Sequence, residues 1–85
     1  MVSVRWSADA LRDLEKIDSI IARRIVAKVI WLGENFSDIL PEKLHQNLKG
    51  LYKLRVGDYR VVYSLRRDVI TILAVGHRRN IYDKL

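Results

Sequence analysis

The chain has 85 residues, 16 Lys and Arg against 10 Asp and Glu for a net charge of +6, two His, one Pro, four Gly, no Cys and 49% hydrophobic residues. One domain over residues 1–85 is what this length supports, and without Cys there is no disulfide framework, thiolate metal cage or thiol nucleophile, so no metal or cofactor is expected. The apolar content argues against disorder, and the longest apolar run is far below the roughly 18 residues of a membrane span, so a cytoplasmic protein with no membrane contact is expected.

Val2, Val4 and Trp6 alternate with Ser3 and Arg5, which predicts a short strand over Met1 to Trp6 with one apolar face. Ser7 follows as an N-cap. Behind it Leu11, Leu14 and Ile17 fall at helical spacing, and Asp9 and Asp13 lie toward the positive end of the helix dipole. Asp18 or Ser19 ends this helix and caps a longer one, in which Ile21, Ile25, Val29, Leu32 and Phe36 form one stripe, with Arg23, Arg24, Lys28 and Glu34 outside it. The two make a helical hairpin. Asn35 to Asn47, containing Pro41, is expected as a long connector with one helical turn at Glu42 to His45. His45, Trp6 and Trp31 are expected in structural roles, the tryptophans through strand and helix packing.

From Leu48 onward the period changes to two. Tyr52, Leu54 and Val56 precede Gly57-Asp58, and Tyr59, Val61, Tyr63 and Leu65 follow it; Gly at the first central position predicts a two-residue hairpin with a type II′ turn. Arg66-Arg67-Asp68 marks the next turn, and Val69 to Val75 is a third, largely apolar strand suited to a central position. The expected order is strand, helix, helix, strand, strand, strand. This is an α+β fold with an antiparallel-rich four-stranded sheet packed on the helical hairpin.

The charge divides unevenly along this plan. Residues 1–48 carry seven Lys and Arg and seven Asp and Glu, whereas residues 49–85 carry nine Lys and Arg and three Asp, so the whole excess of +6 lies in the second half. The two-residue turn sets Arg55 opposite Arg60 and places Lys53, Arg55 and Arg60 together on the face away from the helices. Like charges across a ladder destabilise it by roughly a few tenths of a kcal/mol to 1 kcal/mol per pair, so the arrangement makes sense if an anion such as a phosphate sits between them. A tight turn at Arg67-Asp68 would pair Val62 with Leu73 and Arg60 with Val75. His77 would then follow on the basic face, with Arg78 and Arg79 at the bend beyond it. Histidine exchanges protons near neutrality, and Tyr82 either stacks on an exposed RNA base or docks the C-terminus onto the core.

The run Leu51-Tyr-Lys-Leu-Arg-Val-Gly-Asp-Tyr-Arg-Val-Val-Tyr63, followed by Ile72-Leu-Ala-Val-Gly-His-Arg-Arg-Asn-Ile-Tyr82, resembles the RelE/ParE toxin superfamily over essentially the whole chain, and within it the RelE branch. The resemblance implies the toxin of a type II toxin-antitoxin system that cleaves mRNA in the ribosomal A site. It implies neutralisation by a cognate RelB-like antitoxin, with operator DNA reached only through the antitoxin complex. Lys53 and Arg55 match the basic pair before the hairpin, Arg60 the Arg of the Tyr-Arg strand, Arg78 the Arg after the last strand, and Tyr82 the C-terminal Tyr that stacks on the mRNA base. The sequence departs from the pattern by carrying Arg55 in place of Lys and by a shorter segment between Arg78 and Tyr82.

Attack of a ribose 2′-hydroxyl on the adjacent phosphorus needs in-line geometry, charge stabilisation and proton transfer at both ends. Arg60 and Arg78 are expected to bind the scissile phosphate, with Arg55 helping to position it. A guanidinium stays protonated, which leaves Lys53 and His77 as the proton-transfer candidates; Arg79 adds an RNA contact. Two other classes remain. One is a ParE-like DNA gyrase poison that cuts no nucleic acid, and the other is a non-catalytic RNA-binding module.

Overall fold

A computed structural model describes residues 2–44 and 49–85; His45 and the start of the expected strand at Leu48 lie outside them. The chain runs β1 (Ser3–Trp6), α1 (Ala8–Glu15), α2 (Ser19–Glu34), β2 (Glu42–Lys43), β3 (Leu51–Val56), β4 (Tyr59–Arg66) and β5 (Val69–His77), with short 3₁₀ turns at Phe36–Asp38 and Ile81–Lys84. The strands form one sheet in the order β1-β5-β4-β3-β2. β1 runs parallel to β5 and the other pairs are antiparallel. The helices carry the chain from one edge of the sheet to the other, which is why both lie on one face.

Both helices begin where the sequence places a cap. Ser7 Oγ accepts from Ala10 N–H at 3.1 Å, and Asp18 accepts from Ile20 and Ile21 N–H at 3.1 and 3.4 Å. A cap of this kind contributes about 1 kcal/mol. Ile25, Val29 and Leu32 of α2 and Ala10 of α1 pack on Leu54, Val61, Tyr63, Ile70, Ile72 and Val75, while Trp6, Ile21 and Phe36 close the margin. Each fully buried Val or Ile side chain contributes roughly 1.5–3 kcal/mol. Tyr63 stacks on Tyr52 with centroids 5.6 Å apart, and burial pushes its hydroxyl up to about 12. Gly33 lets α2 close on β1, because a Cβ there would lie 2.9 Å from Val4 Cγ2.

The structure corrects several expectations. The sheet has five strands: Glu42–Lys43 pairs with β3 where a helical turn was expected, because Leu44 N–H bonds to Leu51 O at 3.0 Å and extends the chain along that edge. Leu11 is exposed and Ala10 takes the buried position on α1. Trp31 is also exposed, on the outer side of α2, with Lys28 Nζ 3.9 Å from its ring centroid, so it is no core residue. The face of the sheet away from the helices, which carries Lys53, Arg55 and Arg60, also holds a second apolar cluster that the sequence pattern did not show, Leu44, Val62, Ala74 and Ile81 with Leu51 against it.

The β3–β4 hairpin has the expected register, Val56 with Tyr59 and Arg55 with Arg60, and Gly57 supplies the positive φ of 59° that its turn requires. The next hairpin also turns at two residues, Arg66 pairing with Val69, but a bulge at Leu73 shifts the remainder of β5. Val62 pairs with Ala74, Arg60 with Gly76 and Tyr59 with His77. The expected partners Leu73 and Val75 are thus displaced by one residue. That slip turns Val75 into the main core and sets Gly76 opposite Arg60.

Candidate nucleic-acid interface

Strand alternation and the β2–β3 register bring three side chains together at one edge of the sheet. Glu42 lies opposite Lys53. Its carboxylate accepts from Arg55 Nε at 3.1 Å and Nη2 at 2.7 Å, a bidentate fork, and lies 3.5 Å from Lys53 Nζ. Tyr82 enters from the C-terminal 3₁₀ turn: its hydroxyl is 3.5 Å from Lys53 Nζ and donates to Leu44 O at 3.3 Å. The ring stays exposed while the neighbouring Ile81 is buried. Ile81 therefore docks the C-terminus, and Tyr82 is left facing solvent beside the cations.

Arg60 sits on the same face, directly across the ladder from Arg55. Its Nη1 donates to Gly57 O and Tyr59 O, both at 2.9 Å, which folds the guanidinium back on the hairpin turn. Arg78 meets that turn from β5, through its N–H to Asp58 O at 2.8 Å and a loose ion pair of 3.8 Å from Nε to Asp58 Oδ1. Arg79 follows, exposed. The expected residues thus form two neighbouring groups, Lys53, Arg55 and Tyr82 around Glu42, and Arg60 with Arg78 around the Gly57-Asp58 turn.

His77 does not join them. The bulge at Leu73 pairs it with Tyr59, on the helix side of the sheet, where the two rings meet edge to face with centroids 5.6 Å apart. Its Nδ1 accepts from Arg79 N–H at 3.2 Å. The placement of His77 on the basic face, which the sequence pattern implied, is thereby corrected.

Glu42 is the residue that the sequence pattern did not reveal. Two residues of strand are too few for a period to show, and the only available signal was that Glu42 and Leu44 alternate onto one side of the chain. Its consequence is electrostatic. Hydrogen bonding from Arg55 holds the Glu42 carboxyl below its ordinary value, and Arg55 is held more firmly protonated in return. The cluster therefore contains an ionised carboxylate beside an ammonium, together with guanidinium groups able to bind phosphate oxygens. Among the described residues no group of three or more His, Asp or Glu side chains could hold a metal ion. No helix of the structure is long and apolar enough to cross a membrane.

Residues 4–82 match a family model described as the ParE toxin of the type II toxin-antitoxin system parDE. Toxin RelG of Mycobacterium tuberculosis is 33% identical over 90 residues, covering 96% of this chain and 97% of that protein. Toxin RelE3 of Methanocaldococcus jannaschii is 30% identical over 86 residues, covering 96% and 97%. The crystal structure of the toxin-antitoxin complex RelBE2 from Mycobacterium tuberculosis superposes with a TM-score of 0.78 at 29% identity, over 91% of this chain and 98% of the other. The isolated E. coli RelE toxin shares the fold with a TM-score of 0.74 at 22% identity, over 91% of this chain and 84% of the other.

Proposed function

The chain belongs to the ParE toxin family and is a type II toxin-antitoxin toxin of the RelE kind, and from that premise we propose that it is a ribosome-dependent endoribonuclease that cleaves mRNA in the A site and so inhibits translation. One observation carries the reading: strand register gathers Lys53, Arg55 and Arg60 on one face, and Tyr82, 29 residues along the chain from Lys53, arrives 3.5 Å from its Nζ. A protein that acts only by binding another protein has no need of that constellation.

The reaction forms a bond from the ribose 2′-oxygen to phosphorus and breaks the bond from phosphorus to the 5′-oxygen, leaving a cyclic phosphate and a 5′-hydroxyl. Arg60 and Arg78 take the phosphate oxygens and oppose the charge that develops on them, and Arg55 sets the approach. Glu42 accepts the proton of the 2′-hydroxyl, and Lys53 delivers one to the departing 5′-oxygen. Tyr82 stacks on a base, and Arg79 contacts the RNA backbone. His77, on the far face, is given no proton to move. A carboxylate held by Arg55 is a weak base, so chemistry at this face is slow unless the substrate is already aligned. The ribosome supplies that alignment.

The site of action is then the cytoplasm, and the partner that silences the toxin is an antitoxin of the RelB kind, as in the RelBE2 complex; operator DNA is reached only through that complex. The ParE name of the matching family model supports a second reading, the one that the ParE side of the sequence resemblance implies: a DNA gyrase poison that cuts no nucleic acid. Mapping of mRNA ends in a cell-free translation reaction tests the two. New ends within the A-site codon are expected. Intact mRNA together with stalled gyrase–DNA cleavage complexes would replace the ribonuclease with the poison, and intact mRNA without them would leave an RNA-binding module.

A further inference from the structure

Tyr82 belongs to a 3₁₀ turn of four residues, Ile81–Lys84, too short to hold a shape on its own. Its position is imposed by neighbours on both sides. Ile81 is fully buried and rests on Gly76, where a Cβ would come within 3.2 Å of Ile81 Cδ1 and 3.3 Å of Lys84 Cε. Lys84 Nζ donates to Asp13 Oδ1 at 2.6 Å and to Val75 O at 3.3 Å, while Asp13 Oδ2 accepts from Val75 N–H at 3.0 Å. Because β1 pairs with β5 only as far as Ile72, the backbone of Val75 lies beyond the last strand partner on that edge. Asp13 and Lys84 satisfy it, and in doing so they close a ring through α1, β5 and the C-terminal turn. The Asp13 side chain is 15% exposed and the Lys84 side chain 37%, so the pair is screened less than one between two fully exposed side chains.

The geometry points to Asp13 and Lys84 as positioning residues: their ion pair locks the C-terminal turn and thereby holds Tyr82 beside Lys53, in place to stack on an RNA base. This inference rests on the ribonuclease reading of the basic face. Neither residue takes part in the proposed reaction. The α1 helix, which contributes nothing to the basic face itself, acquires through Asp13 a role in setting its geometry.

Lys84→Met is the informative variant, because it keeps an aliphatic stem over Gly76 and leaves the Asp13–Val75 bond intact. Its thermal midpoint is expected to stay within about 3 °C of the parent. Amide hydrogen exchange at Asp83 and Leu85, whose N–H groups bond to Asn80 O and Tyr82 O, is expected to accelerate about tenfold with β4 unchanged. With ribosome-bound mRNA, kcat is expected to fall roughly tenfold and KM by less than about twofold, and Lys84→Arg is expected to restore most of the rate. In a Tyr82→Ala background, Lys84→Met is expected to have no further effect, since it acts through that ring. Unchanged exchange at Asp83 and Leu85, or rate losses from Lys84→Met and Tyr82→Ala that multiply, would overturn the lock while leaving the ribonuclease in place. A parent protein that cuts no mRNA would overturn the ribonuclease reading and the purpose of the lock with it, whatever the exchange rates show.

Discussion

Glu42 of β2 forks onto Arg55 of β3, with both carboxylate oxygens engaged at 3.1 and 2.7 Å. The carboxylate lies between Lys53 and Arg55 on the β2 side of β3, not between Arg55 and Arg60 where a phosphate was expected. It relieves the repulsion between Arg55 and Arg60 in the free protein, and it gives the face an acceptor for protons.

Glu42→Gln retains the shape and removes the ionised acceptor. Cleavage of ribosome-bound mRNA is expected to fall about a hundredfold or more. Binding of an uncleavable 2′-deoxy-substituted RNA should tighten, since the face gains one unit of positive charge. Equal cleavage by parent and variant would remove Glu42 from the reaction.

The same residue sets a pH dependence. Arg55 lowers the Glu42 carboxyl in the folded protein below its ordinary 4.5. Its contribution to stability is therefore complete above the ordinary value and lost as pH falls through the lowered one. At 44% side-chain exposure that contribution is small. An NMR titration of Glu42 should give a midpoint below 4.5 that rises toward 4.5 in Arg55→Met.

Arg60 and Arg78 are assigned to phosphate. Replacing either with Ala should weaken single-stranded RNA binding and reduce the slope of log affinity against log salt by about 0.7 for each phosphate that the variant no longer neutralises. A slope that does not move in either variant would show that these arginines stay on the Gly57-Asp58 turn and do not reach RNA.

The β4–β5 turn stores strain that can be released. Arg67 has a φ of 55°, a region that penalises any residue with a Cβ. Arg67→Gly is expected to stabilise the fold by roughly 0.5–1 kcal/mol, read as a rise in urea midpoint without a change in slope. The substitution lies at the opposite end of β4 from the Gly57-Asp58 turn and should leave cleavage unchanged.

Much of this molecule was legible in its sequence, for identifiable reasons. Ser7 and Asp18 announced the helices because a capping side chain acts locally, and Gly57-Asp58 announced the hairpin because its turn demands a positive φ. From that register came Lys53, Arg55 and Arg60 on one face. What stayed hidden depended on distant neighbours. The bulge at Leu73 leaves no mark in a run of β-branched and apolar residues, yet it moves His77 to the other face. The strand at Glu42–Lys43 exists only because β3 is there to pair with it. The lock between Asp13 and Lys84 joins residues 71 positions apart, beyond the reach of any local pattern.

The central claim is that this basic face cuts mRNA that the ribosome holds in place. Its most direct test is end-mapping of one mRNA incubated with the parent protein and with the Arg60→Ala, Arg78→Ala double variant, each with and without translating ribosomes. The expected result is A-site ends from the parent on ribosomes only, with the double variant slower by about a hundredfold or more. Equal cleavage by parent and double variant, or cleavage by the parent that is indifferent to ribosomes, would contradict it.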